Sequence, residues 1–201
     1  MFDKSIPLNK TLENECKSLT DNVYDCTSFL VKINATRKEL NKYDLIEQHH
    51  ASHLFTSRPS EYTDSTGFAL IFDNIYRYIS LDMLIKSNQH LVISLLPNVI
   101  ELTKEFHAHG LVHGDLSFRN IVYSSMTNKV LFTDAETTNI FDKSVIEDDG
   151  SYTFCDLLWL QLLEYHVYGE VRTGSPYEMT IELIESQTRE QLLNDIIRGF
   201  G

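Results

Sequence analysis

Asp115, Asn120 and Asp134 are the residues of this chain whose types and spacing could do chemistry together. They lie in the segments His113-Gly114-Asp115-Leu116-Ser117-Phe118-Arg119-Asn120 and Phe132-Thr133-Asp134. One acid can position and deprotonate a hydroxyl, while an amide and a second acid can hold Mg²⁺. In-line phosphoryl transfer requires this equipment. Elements on either side must position it. Upstream, Leu95, Val99, Leu102 and Phe106 recur at helical spacing, with Pro97 expected near the first turn of that helix. Between Asn120 and Asp134 the sequence predicts a two-strand ribbon: Ile121-Val122-Tyr123, a polar turn from Ser124 to Asn128, then Val130-Leu131-Phe132.

The first third of the chain alternates and is rich in β-branched and aromatic residues. It predicts strands over Glu13 to Leu19, Asn22 to Cys26, Ser28 to Ile33 and Gly67 to Phe72, with a helix from about Ala35 to His50. From Leu81 onward the periodicity is helical. A second helix from Asp156 to Gly169 is apolar on nearly every side and should be buried, and Glu178 to Phe200 reads as one or two amphipathic helices.

With 201 residues and 42% hydrophobic content, the chain can form one domain or two small lobes sharing a cleft. Met1-Phe2-Asp3-Lys4-Ser5 lacks a basic, then apolar, leader, and the run from Leu91 to Ile100 is broken by Ser94, Pro97 and Asn98, so no membrane association is expected. Cys16, Cys26 and Cys155 form no C-x-x-C pair and leave one over in any disulfide scheme. The expectation is buried thiols in a reducing, cytoplasmic compartment, where the N-x-T sequons at Asn9 and Asn34 carry little weight. Seventeen basic against 29 acidic residues give a net charge of -12, which opposes binding to nucleic acid or to anionic membranes.

The order of these motifs resembles the protein-kinase-like superfamily, in which a catalytic loop H-x-D-L-x-x-x-N is followed one hairpin later by a second Asp. The resemblance covers about residues 12 to 170, and its most specific part runs from 95 to 170. It implies an α+β, two-lobed kinase-like fold in a single domain, with a small β-rich N-lobe over 1–75 and a truncated helical C-lobe over 76–201. It implies ATP and Mg²⁺ as cofactors. Phe29-Leu30-Val31-Lys32 occupies the V-A-I-K strand, placing Lys32 on the ATP phosphates. Its partner would be Glu39 or Glu47, two turns apart on the next helix. Glu39 is preferred because Leu40, Tyr43 and Ile46 form the apolar stripe that follows it, although it comes only seven positions after Lys32. Val23, Leu30 and Val122 would touch the nucleotide, and the Asp73 carbonyl and Ile75 backbone would meet adenine. Asp115 would orient and deprotonate the acceptor, Asn120 and Asp134 would hold Mg²⁺, and Arg119 would offset charge in the transition state. Asp156 would brace the catalytic loop. On this alignment His107 and His109 end a helix and His113 packs under the loop, which disfavours a zinc site built from these three.

The chain departs from the family pattern in several places. It has no Gly before Gly67, and the Gly-rich-loop positions hold Cys16, Ser18 and Asp21, so phosphate clamping should be weak. Leu30 replaces a small Ala above adenine. Gly114 replaces the Arg that binds an activation-loop phosphate, and no A-P-E-like segment precedes Asp156. H-G-D and Asp134-Ala135-Glu136 are shared with aminoglycoside, choline and sugar kinases; Ser117 and Arg119 leave the substrate class open. The size resembles that of minimal kinases among bacterial secreted effectors, which keeps delivery into a host cell open as well. The expectation is therefore a minimal, atypical kinase acting on Ser/Thr of a protein, with a protein substrate or regulatory partner. A small-molecule kinase and a pseudokinase binding module are the alternatives.

Overall fold

The alternation in Phe29-Leu30-Val31-Lys32-Ile33 sends Leu30 and Lys32 to one face of a strand and Phe29, Val31 and Ile33 to the other. The computed structural model describes residues 8–26, 28–64, 67–73 and 78–140, and beyond these Asp156, Trp159, Leu160, Leu163, Val167 and Tyr168. It is an α+β architecture. The chain runs α1 (Leu8–Glu15), β1 (Lys17–Thr20), β2 (Val23–Asp25), β3 (Phe29–Ile33), α2 (Arg37–Gln48), a 3₁₀ turn (Ser52–Leu54), β4 (Ser60–Asp64) and β5 (Gly67–Asp73). These strands form one five-stranded antiparallel sheet in the order β1-β2-β3-β5-β4. Then follow β6 (Ile79–Ser80), α3 (Leu81–Ser87), α4 (Gln89–Ala108), β7 (Leu111–Val112), β8 (Ile121–Ser124), β9 (Lys129–Phe132) and β10 (Asn139–Ile140).

The register fixes what each face of the large sheet carries. Val23 pairs with Lys32, and Leu30 pairs with Phe72, so these four side chains share one face. The other face buries Phe29, Val31, Ala69 and Ile71 with Leu8 of α1 and Cys26. α1 is a correction to the strand expected from Glu13. Leu8, Thr11 and Leu12 repeat at helical spacing, and the helix is anchored by a bond from the Leu8 amide to Asp64 Oδ2 at 3.2 Å. β4 was not expected from the sequence, since Ser60-Glu61-Tyr62-Thr63-Asp64 is a mostly polar edge strand with one buried residue, Tyr62.

A second correction concerns the cysteines. Cys16, just after α1, is disulfide-bonded to Cys26, just after β2, ten positions further along the sequence. The bond weighs against the free thiols and the reducing compartment expected above. Cys155 lies outside the described residues. Closing so short a loop should stabilise the fold by about 2–3 kcal/mol. Reduction, or Cys26→Ser, should therefore lower the chemical unfolding midpoint, and equal midpoints with and without reductant would mean the bond contributes nothing.

The larger core joins α2 and the 3₁₀ turn to α3, α4 and the ribbon. Its centre is aromatic: Phe55, Phe106 and Phe132 meet pairwise at 5.4 to 5.5 Å, and the His113 ring stacks on Phe55 at 5.7 Å. The ribbon expected between Ile121 and Phe132 is present as β8 and β9, joined by a turn over 125–128. Pro97 is not near the start of its helix, as the spacing suggested, but well inside α4. It sits on the exposed face, where water can replace the helix hydrogen bond it cannot make. The described residues from Asp156 onward are helical, and Asp156, Leu160, Leu163 and Val167 are buried. The residues expected to form terminal amphipathic helices, the segment before Asp156, and Ile75 lie outside the described residues. Among the described residues no helix is long and apolar enough to cross a membrane.

Candidate active site

Between the large sheet and the α3/β8 region lies a cleft of about 350 Å³, within the range of small-molecule sites. Its apolar wall comes from the sheet face already described, Val23, Leu30 and Phe72, and from Val122 and Met83 on the opposite side. Its charged end holds Lys32, Glu39 and Asp134. Of the nucleotide residues expected from the sequence, Val23, Leu30, Lys32, Glu39 and Val122 line this cleft; Asp73 pairs with Phe29 at the end of β5, and Ile75 lies outside the described residues.

Lys32 is the hub of the charged end. Its Nζ lies 2.8 Å from Glu39 Oε1, 2.9 Å from Glu136 Oε2 and 4.0 Å from Asp134 Oδ1. Glu47 is directed elsewhere, exposed and near Arg58. The short spacing from Lys32 to Glu39 is met by a tight β3–α2 connection. Thr36 caps α2, its hydroxyl accepting from the Glu39 amide at 3.4 Å. Thr36-Arg37-Lys38-Glu39 is a capping-box sequence, yet the Glu39 carboxylate bonds Lys32 instead of closing the box. Burial works to lower the Lys32 pKa, but the bonds from Glu39 and Glu136 and the field of Asp134 outweigh it and hold the ammonium above its ordinary value. At Glu39 burial dominates and raises the carboxyl pKa, since the attraction of Lys32 is partly cancelled by Asp134 and Glu136. The three acids around one cation thus raise the Lys32 pKa, and burial raises that of Glu39.

The loop after β7 is held from below. Asp156, fully buried, accepts from the His113 amide and the Gly114 amide, each at 2.8 Å, and its Oδ2 lies 3.0 Å from His107 Nε2. Gly114 has φ 79°, a left-handed conformation that a side chain would strain. His113 is buried, its Nε2 3.0 Å from the Thr133 carbonyl. Above this brace, Asn120 Nδ2 donates to the Asp115 carbonyl at 2.9 Å and to Asp115 Oδ2 at 3.0 Å. That leaves Asn120 Oδ1 as the amide's possible metal ligand. The Asn120 carbonyl accepts from the Thr133 amide at 3.0 Å, which sets Asp134 beside the loop. Arg119 is exposed and reaches Asp115 Oδ2 at 3.4 Å. Asp134 has φ 59°, a conformation few non-glycine residues adopt and one that clusters at functional sites.

Sequence reasoning did not single out Glu136, Thr56, Ser57, Tyr78 or Thr133. Glu136 was visible only as the last letter of the D-x-E pattern, and Thr56 and Ser57 come from a loop with no pattern of its own. Thr56 is placed by a bond from its amide to the Phe132 carbonyl at 2.8 Å. Three carboxylates, Glu39, Asp134 and Glu136, each offer an oxygen within 4.8 Å of the others. Carboxylates are hard-oxygen donors of the kind that suits Mg²⁺, as is the Asn120 amide oxygen. Comparison with protein-family models and with curated protein sequences finds no match to this chain.

Proposed function

We propose that the cleft binds Mg-ATP and that the γ-phosphoryl passes to a hydroxyl held at Asp115, with Ser/Thr of a protein as the favoured acceptor. The observation that carries this reading is the convergence of Lys32, Glu39 and Asp134 at one end of an apolar cleft, beside a loop in which Asn120 grips Asp115. Val23, Leu30 and Phe72 would cover a planar base, and Lys32, kept charged, would bind phosphate oxygens. Asp134 and Asn120, with Glu136, would hold Mg²⁺, which supplies charge neutralisation when bound. Asp115, oriented by the Asn120 amide, would accept the hydroxyl proton. Arg119, on the open side of Asp115, would meet added negative charge. A two-lobed, kinase-like arrangement of one domain, 1–75 and 76–201, belongs to the same proposal.

One feature favours a second reading, a kinase-shaped module that binds without turnover. The β1–β2 turn is Asp21-Asn22, with no glycine to bring backbone amides over a phosphate. ATP turnover of the purified chain, read by phosphate release and by intact mass for autophosphorylation, separates the two. Under the proposal, Asp115→Asn lowers turnover on the order of 10²-fold or more and leaves nucleotide affinity nearly unchanged. Parallel losses of affinity and rate would assign Asp115 a structural role. Nucleotide-dependent thermal stabilisation without any turnover would favour the binding module.

A further inference from the structure

The histidines around the end of α4 have separate fates. His107 faces Asp156 and His113 faces Thr133, while His109, the C-cap of α4, turns to a residue far away in sequence. Its ring meets that of His53 edge-on at 5.8 Å, and His53 Nε2 lies 2.8 Å from Glu105 Oε1. One possible ligand atom from each of His53, Glu105 and His109 lies within 4.8 Å of the other two. Glu105 and His109 are four residues apart at the end of one helix and so share a face. His53 arrives from the 3₁₀ turn. His49 Nδ1, 2.8 Å from the His109 carbonyl, ties the end of α2 to the same point.

We propose that His53, Glu105 and His109 form a zinc site. Two imidazoles and one carboxylate are a donor set that zinc takes in tetrahedral geometry, with water as fourth ligand. The C-terminal end of α4 adds the partial negative charge of the helix dipole, which favours a cation there. His53 and Glu105 are 59% and 51% exposed at the side chain, so an ion can reach them. Ligation through His53 Nε2 displaces its bond to Glu105 and leaves the ring proton on Nδ1. None of the three residues lines the cleft, and the site does not depend on phosphoryl transfer. Bound zinc would fasten the turn after α2, the helix that carries Glu39, to the helix that leads into the Asp115 loop.

The test is zinc titration of the full chain after chelator treatment, read by calorimetry and thermal unfolding. One equivalent should bind, and zinc at about 100 times its Kd should raise Tm by roughly 5–10 °C. His53→Ala or His109→Ala should weaken zinc by about 10-fold or more, and the double variant should lose the Tm shift. Asp134→Asn should keep it, which separates this site from the carboxylates around Lys32. Cobalt, added to the wild-type chain alone, should give the visible absorption of a nitrogen-ligated, low-coordinate ion, a readout that needs no variant to fold. No zinc-dependent shift in the wild type, a shift that survives in the double variant, or a cobalt spectrum of the hydrated ion would overturn the assignment.

Discussion

Asp134→Asn should abolish phosphoryl transfer, by a factor on the order of 10³ or more, while leaving the fold in place. The two halves of this expectation have separate grounds. Asp134 is 42% exposed at the side chain and stands 4.0 Å from Lys32, which keeps shorter bonds to Glu39 and Glu136 when Asp134 loses its charge. Asparagine also tolerates the left-handed backbone at this position, as Asn34 and Asn128 do elsewhere in the chain at φ 56° and 54°. Stability should therefore change little. Under the proposed function, activity depends instead on the negative charge. A neutral amide in place of the carboxylate would then remove an anion that retains Mg²⁺ against the phosphates, and with it several kcal/mol of transition-state stabilisation. Two measurements check this: phosphate transfer, and the Mg²⁺-dependent part of the nucleotide thermal shift. Both should disappear together. A folded Asp134→Asn protein that transfers phosphate at the wild-type rate would remove Asp134 from the proposed metal site.

What could be read from the sequence was what the chain keeps local. Asp115 and Asn120 lie five residues apart in one loop, and the hairpin up to Asp134 follows directly, so spacing alone carried most of their geometry. Glu39 was legible one step further out. The stripe Leu40, Tyr43 and Ile46 fixes which face of α2 turns inward, and Glu39 is buried with them, while Glu47 stays exposed. Pairings between distant segments were not legible. Nothing near Cys16 announces Cys26 as its partner, because α1, whose end places Cys16, has only Leu8, Thr11 and Leu12 to mark it as a helix. His53 and His109 are separated in sequence by β4, β5, β6, α3 and α4, and the packing of the 3₁₀ turn near the end of α4 brings them together. Glu136 reached Lys32 across 104 residues, a contact that neither local spacing nor periodicity encodes.

Asp156→Ala should cost about 3–5 kcal/mol of stability, a large share of what a domain of this size has. Asp156 is fully buried, and both of its carboxylate oxygens are engaged: Oδ1 by the Gly114 amide, Oδ2 by the His113 amide and His107. Alanine leaves two backbone N–H groups and an imidazole without their acceptor, in a place where His113 and His107 are shielded from water. Each orphaned donor costs roughly 1–3 kcal/mol, and the sum exceeds the loss of a single ordinary hydrogen bond several-fold. Asp156→Asn keeps one acceptor oxygen but sets an NH₂ against a backbone N–H, so it should fall between wild type and alanine. Urea unfolding of the three proteins gives the order. The consequence reaches past stability, because the two amides that Asp156 holds immediately precede Asp115. Even where Asp156→Ala remains folded, Asp115 should lose its fixed position, and any phosphoryl transfer should fall more than nucleotide binding does. An alanine variant within about 1 kcal/mol of wild type would show that the brace is not what holds this loop.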